Sequence, residues 1–317
     1  MAGSSTRVVV IAFVGNGLIA ISKLTASAIT GSSAMFAEGI HSVVDSGNQL
    51  LLLYGMRRAR RPADERHPLG YGKEVYFWSF VVAILLFSVG AGVSIYHGIE
   101  KALHPHPVED PIINYVVIGL ALCFEGYALH AAVKETNARR RPGESVLGFI
   151  RRSKDAPLVV VLLEDAGAML GLVIAGVALF LVDTLDMPVL DGLASILIGI
   201  LLAVAAVVLA IETKALLIGE AAEPAVREGV WSILRGDRRI KAVNEVLTMH
   251  MGPEDILCAL SVDFHDAEQS EDVEASITEL ERRIKGQFPQ IRRVFIEVQD
   301  LQDHLRGMAA SRGGATA

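Results

Sequence analysis

Cysteine, aromatic residues and charge are all scarce in this chain. Only Cys123 and Cys258 occur in 317 residues, far apart and in unlike segments, so neither a disulfide framework nor a CxxC metal site is possible. Aromatic residues make up 6% of the sequence, and no basic, aromatic-laced stretch is present, which argues against nucleic-acid binding. There is no nucleophile elbow, phosphate-binding glycine loop or cofactor motif, so nothing points to an enzyme. Charged residues amount to 21%, and the net charge of −7 is unevenly placed. From Glu220 onward, 18 acidic residues face 12 basic ones.

Hydrophobic residues are abundant instead. They make up 52% of the chain, and the mean hydropathy is +0.43. That is too apolar for an ordinary soluble domain and points to a membrane protein. A membrane span needs about 20 mostly apolar residues. Six stretches qualify, at 8–29, 34–56, 75–100, 111–133, 156–182 and 189–217. The first follows a short polar lead without a small-residue cleavage site, and reads as a span rather than a cleaved signal. Lysine and arginine concentrate in two loops, Arg57 to Lys73 and Lys134 to Lys154. By the positive-inside rule these loops face the cytoplasm, and both termini follow.

After Gly219 the pattern changes to a small α/β domain. Residues 222–235 and 270–287 read as helices; 242–251, 256–265 and 292–299 read as strands, the first two joined around Gly252-Pro253. The fold class expected is therefore an α-helical membrane protein, with six transmembrane helices plus a small cytoplasmic, ferredoxin-like C-terminal domain. The expected division is a membrane domain over 1–219, an α/β domain over 220–305, and a disordered Gly/Ala-rich tail over 306–317.

Ionisable residues interrupt the spans. Glu38, His41 and Asp45 lie in the second; Glu164 and Asp165 lie in the fifth. An ionised carboxylate at a bilayer centre costs roughly 2.5–3.5 kcal/mol on insertion scales, so such residues face the protein interior and find a partner there. A divalent cation is the cheapest partner for several carboxylates and an imidazole. Residues three and four apart share a helix face, so Glu38, His41, Asp45 and Asn48 form one stripe. His41 and Asp45 with one more carboxylate make a tetrahedral N/O site suited to zinc; more oxygens suit manganese or iron. Asp165 is the natural third ligand, with Glu164 and Glu38 as further candidates and Asn48 as an outer-shell group. Glu125 in the fourth span either pairs with Lys23 of the first or joins a proton path, and the pairing is the favoured reading. Asp191 reads as a cap for the sixth span.

Three motifs carry a family resemblance. Residues 37–46 (AEGIHSVVDS) resemble the second-span signature of the cation diffusion facilitator family. Residues 67–73 (HPLGYGK) look like that family's loop between spans two and three, and 215–220 (ALLIGE) look like its exit from span six. Leu162-Leu163-Glu164-Asp165 and residues 90–98 look most like the branch containing the mitochondrial zinc exporter. The resemblance covers residues 7 to 303. It implies a metal/proton antiporter, commonly a homodimer, whose transport site pairs two (His or Asp)-x-x-x-Asp motifs. The second span matches through His41 and Asp45; in the fifth, Asp165 fits but Val161 stands at the other place. Of the family's loop metal site, Asp64 and His67 are present, with Tyr71 at the third position, which makes a weak site. Of its C-terminal metal positions, Asn244, Leu260, Glu297 and Gln299 are not histidines; His250 and His265 fit solvated strand ends.

The expectation is thus a divalent cation/proton antiporter that exports zinc, or alternatively manganese or iron, from the cytoplasm by alternating access. It needs no cofactor, has metal ions and protons as substrates, and dimerises through its C-terminal domain. A bacterial inner membrane is the simplest host. The alternative is a membrane metal sensor or scaffold that binds without translocating.

Overall fold

The structure, a computed structural model, describes residues 2–108, 110–265 and 269–313. The chain divides into two units. One comprises Met1–Arg61 and Glu74–Lys214; the other comprises Pro62–Lys73 and Ala215–Ala317.

The first unit is a helical bundle. Its long elements are α1 (Ala2–Thr30), α2 (Ser33–Ala59), α3 (Glu74–Leu85) continued through a π-helical turn at Leu86–Ala91 into α4 (Gly92–Leu103), α5 (Pro111–Arg139), α7 (Ala156–Leu185) and α8 (Val189–Ile218). A short α6 (Val146–Arg152) sits in the loop between α5 and α7. The six expected spans each fall on one of these rods. Local chemistry sets the ends. Gly31 takes a left-handed φ of 67° between α1 and α2, a conformation that costs a residue without Cβ nothing. The Ser32 hydroxyl then accepts from the Met35 amide as the N-cap of α2. Pro111 and Pro157 occupy first-turn positions of α5 and α7, where no amide donor is missed.

Four rods, Glu74–Leu103, Pro111–Arg139, Ala156–Leu185 and Val189–Ile218, are long and apolar enough to cross a membrane. Helix α2 is nearly as long, with 27 residues, but carries the polar stripe. Outward faces are apolar: Ile112, Val116, Leu120 and Phe124 repeat every fourth residue along α5, and Leu193, Leu197, Ile200 and Val204 recur every third or fourth residue along α8, all exposed. Such stripes suit hydrocarbon rather than water.

Two apolar clusters fill the bundle. One gathers Met35 and Ala37 of α2, Ala121 of α5 and Leu172 of α7. The other gathers Leu52 of α2, Ala132 of α5 and Leu162 of α7. The polar residues of α2 and α7 lie between them along each helix.

The second unit is an α/β domain with α9 (Pro224–Arg235), β1 (Ile240–Gly252), β2 (Asp255–Phe264), α10 (Ser270–Gln287) and β3 (Ile291–Val298). The sheet order is β1-β2-β3, with β1 antiparallel and β3 parallel to β2. Alternate residues of β2, Ile256, Cys258, Leu260 and Val262, enter a core with Leu234, Leu280 and Ile284 from the helices. Burial pushes the Cys258 thiol up to about 11, as expected of an inert core cysteine. The segment 62–73 belongs to this unit: the Arg293 guanidinium donates to the Leu69 carbonyl at 2.7 Å, and a Cβ on Gly72 would overlap the Met251 carbonyl.

One expectation is corrected here. The segment expected as a disordered tail begins instead as α11 (Leu301–Gly313). Helix-forming Leu305, Met308, Ala309 and Ala310 outweigh Gly307. Asp303 and Arg306, three residues apart, also pair at 3.0 Å. The tail's last four residues lie outside the described ones.

Candidate metal centre

Glu38, His41, Asp45 and Asn48 are all buried on one face of α2, with exposures of 0%, 1%, 6% and 0%. They face α7 across two glycines. A Cβ on Gly167 would stand 4.0 Å from His41 Nε2, and one on Gly171 would overlap Glu38 Oε1. Gly167 and Gly171 form a G-x-x-x-G step, the spacing that brings membrane helices close. This was a readable signal that attention to the charged residues alone misses.

The layer contains three polar pairs. Lys23 of α1 is fully buried and donates to Glu38 Oε2 and to the Ser42 hydroxyl, both at 2.9 Å. His41 Nε2 lies 3.4 Å from Asp45 Oδ2. The Asn48 amide donates to Glu164 Oε1 at 2.5 Å. After these pairings, both His41 nitrogens, Asp45 Oδ1, Asn48 Oδ1 and Glu38 Oε1 are still buried without a hydrogen-bond partner. Most buried polar atoms in proteins are satisfied, so a group of orphans along one helix face requires an explanation.

Metal geometry supplies one. Two ligands about 2.0–2.1 Å from a tetrahedral zinc stand about 3.3 Å apart. The His41–Asp45 separation is within a tenth or so of that value. Across from them, Glu164 is buried on the α7 face that meets α2, whereas Asp165 is half-buried next to it. Asp45 is within electrostatic reach of Glu164, Glu125 and Asp165. Among the described residues, no three His, Cys, Asp or Glu side chains already converge on one point. The helices therefore set the expected residues along the facing sides of α2 and α7 without closing them around an ion.

Three assignments differ from the sequence reading. Lys23 pairs with Glu38, not with Glu125, because α1 packs along α2 and turns Lys23 toward the stripe. Asp191 does not cap its own helix. Its carboxylate accepts from the Ser32 and Ser33 hydroxyls at 2.6 and 3.0 Å and from the Ser33 and Ala34 amides at 2.5 and 3.3 Å, so it caps α2. His250 is not solvated: it is 4% exposed, with Nδ1 3.2 Å from the Gly252 carbonyl.

Asp64, His67 and Tyr71 do come together, as a hydrogen-bonded turn. Asp64 Oδ1 accepts from the Arg66 and His67 amides at 3.1 and 2.7 Å, and Oδ2 accepts from the Tyr71 hydroxyl at 2.6 Å. The Tyr71 hydroxyl first, then the His67 amide, hold the Asp64 carboxyl below its ordinary value. In the α/β domain, Asn244 bonds the Ser261 hydroxyl and the Gln299 carbonyl, and Leu260 is in the core.

Known proteins resemble this chain over most of its length. Residues 9–218 match the cation efflux transmembrane domain family. A mitochondrial proton-coupled zinc antiporter of Xenopus laevis is 36% identical over 260 residues, covering 81% of this chain and 46% of its own length. The protein of that name from Homo sapiens is 34% identical over the same span and shares. Metal tolerance protein C4 of Arabidopsis thaliana is 31% identical over 262 residues, 82% of this chain and 57% of its own. The chain thus spans about half the length of these curated relatives.

Proposed function

Because the chain belongs to the cation efflux family, we propose that it exchanges a divalent cation, zinc first and manganese or iron as alternatives, for protons. The observation that carries this reading is the layer of orphaned buried ligand atoms on His41 and Asp45, facing Glu164 across a glycine step. The relatives named for zinc and proton coupling support the choice of ions.

His41 and Asp45 form the preset edge of the transport site. A relative shift of α2 and α7 brings in Asp165 or frees Glu164 from Asn48 to complete it. Glu38, held by Lys23, has one unpaired oxygen at the same face and serves as the outermost candidate ligand. Glu125 is the group through which protons reach or leave the ligands, and Asn48, donating to Glu164, orients that carboxylate from the outer shell. Binding needs a neutral imidazole and ionised carboxylates, so metal entry expels protons, and protons entering from the far side displace the metal. Alternating access then couples the two flows.

The arginines at one end of the bundle, Arg57 to Arg61 and Arg139 to Arg152, support a cytoplasmic position for that end. The host is a bilayer carrying a proton gradient: the bacterial inner membrane on the sequence reading, with a mitochondrial membrane as the competitor suggested by the relatives' names. Dimerisation through the α/β domain is supported by its open sheet face, where Leu247 and Phe295, 55% and 58% exposed, flank Ala259 across the strands.

The test is uptake of zinc, manganese, iron(II) and cadmium into proteoliposomes with an imposed pH gradient. Saturable, gradient-driven uptake that Asp45→Asn and Asp165→Asn lack is expected. Binding without flux for every ion overturns the antiporter in favour of a sensor.

A further inference from the structure

A second cluster of ligating side chains lies outside the intramembrane layer, at the bundle end opposite Arg57–Arg61. There the α1–α2 turn and the end of α4 enclose a cavity of about 520 Å³ lined by His97, Glu100, His104 and His106. His97, Glu100 and His104 are three and four residues apart, so they share one face of α4 and its C-cap. His97 Nδ1 stands 3.6 Å from Glu100 Oε2, within a few tenths of the roughly 3.3 Å between two ligands on a tetrahedral zinc. The Phe36 ring packs on the His97 imidazole with centroids 4.2 Å apart and fixes its orientation. His104 and His106 flank Pro105 on the same cavity wall, as exposed side chains free to rotate inward.

One charge opposes a cation here, held in place by a neutral carbonyl that does not cancel it. The Lys101 ammonium lies on the cavity lining but donates to the Gly31 carbonyl at 2.8 Å, with Asp191 in electrostatic reach. The remaining lining groups offer three imidazoles and one carboxylate, which do not yet converge on one point in this conformation. That donor set favours zinc and its borderline neighbours over magnesium or calcium. His97 and Glu100 have side-chain exposures of 40% and 58%, so the ligands need little desolvation and the ion exchanges readily with solvent.

We infer that this vestibule is a second divalent-cation site, with His97 and Glu100 as its preset edge and His104 and His106 completing it. The site concerns binding alone and stands whether or not the intramembrane layer moves ions.

The experiment is zinc titration calorimetry on the full chain in lipid nanodiscs, with any affinity tag removed. The Asp45→Asn/Glu164→Gln/Asp165→Asn background silences the intramembrane layer. One zinc per chain is expected to persist there, and His97→Gln/His104→Gln is expected to weaken it at least tenfold. No zinc in the background, or unchanged affinity after the vestibule substitutions, overturns the site. A footprint on the unmutated chain covers the case of a misfolded variant: zinc should protect His97 and His104 from diethylpyrocarbonate. Equal modification with and without zinc sinks the proposal.

Discussion

Carboxylates inside the bundle and carboxylates outside it are treated in opposite ways. Outside, Glu144 and Asp237 each meet an arginine fork. Glu144 takes both Arg152 Nε and Nη2, at 2.7 and 3.0 Å. Asp237 takes Arg239 Nε and Nη2 at 2.9 and 2.7 Å, and Arg239 goes on to Glu279 at 2.9 Å. Inside, Lys23 is the buried lysine that Glu38, Asp45, Glu125, Glu164 and Asp165 share; the other buried lysine among the described residues, Lys101, donates to the Gly31 carbonyl. A matched pair of ions is a finished structure; a set of acids with too few cations is an unfinished one, and the missing charge is what such a site can take up. On the proposed function, the difference separates acids that hold the fold from acids that hold a cargo.

The comparison breaks most readily at Asp45. Asp45→Asn should abolish gradient-driven metal uptake in proteoliposomes while the circular dichroism spectrum stays native; retained uptake would remove Asp45 from the transport site. Gly171→Leu comes next. Its side chain would occupy the space of Glu38 Oε1, so uptake should drop at least tenfold with the protein still inserted and folded. Metal affinity should also fall with acid, by about tenfold per pH unit for each proton released on binding. Isothermal titration at two pH values would expose a pH-independent affinity, which the proposed coupling forbids.

Outside the bundle the effects are on stability instead. Asp237→Ala should cost about 1.5–3 kcal/mol, the range for hydrogen bonds to charged groups, seen as a lower unfolding midpoint of the α/β unit with uptake rate unchanged. The smallest effect concerns acid and Glu144. Its forks with Arg152 hold it down from 4.5 to about 2, below its unfolded value. The stabilisation it gives is therefore complete above pH 4.5 and fades only as pH falls toward 2. An NMR titration of the Glu144 carboxyl should show no change between pH 7 and 5, and a midpoint near 4.5 would mean the Arg152 pair does not form in solution.

Much of this was readable in the amino acids. The stripe from Glu38 to Asn48 has helical spacing, and the alternation of Val294, Ile296 and Val298 marks a strand. What could not be read depends on how distant segments turn toward one another. Lys23 had two acids within reach in principle, and only the rotation of α1 against α2 selects Glu38. Glu164 and Asp165 are neighbours in the chain, and the roll of α7 alone decides which one faces Asn48. Asp191 looked like a cap because it opens a helix; that it caps a different helix, 158 residues away, is a tertiary fact. The π turn at Leu86–Ala91 has no strong local signal beyond the glycines at 90 and 92.

The Asp191 cap has a mechanical consequence. With five hydrogen bonds joining the start of α8 to the start of α2, that corner would act as a pin, and α2 as a lever hinged at one end. At 1.5 Å per residue, His41 sits about 12 Å and Asp45 about 18 Å along the lever arm from Ser33. A tilt of about 10° then displaces them sideways by about 2 and 3 Å, nearly a ligand-to-ligand spacing at Asp45 and almost nothing at the pin. The cavity beside the pin would keep its shape through such a swing, while the middle of the bundle opens and closes.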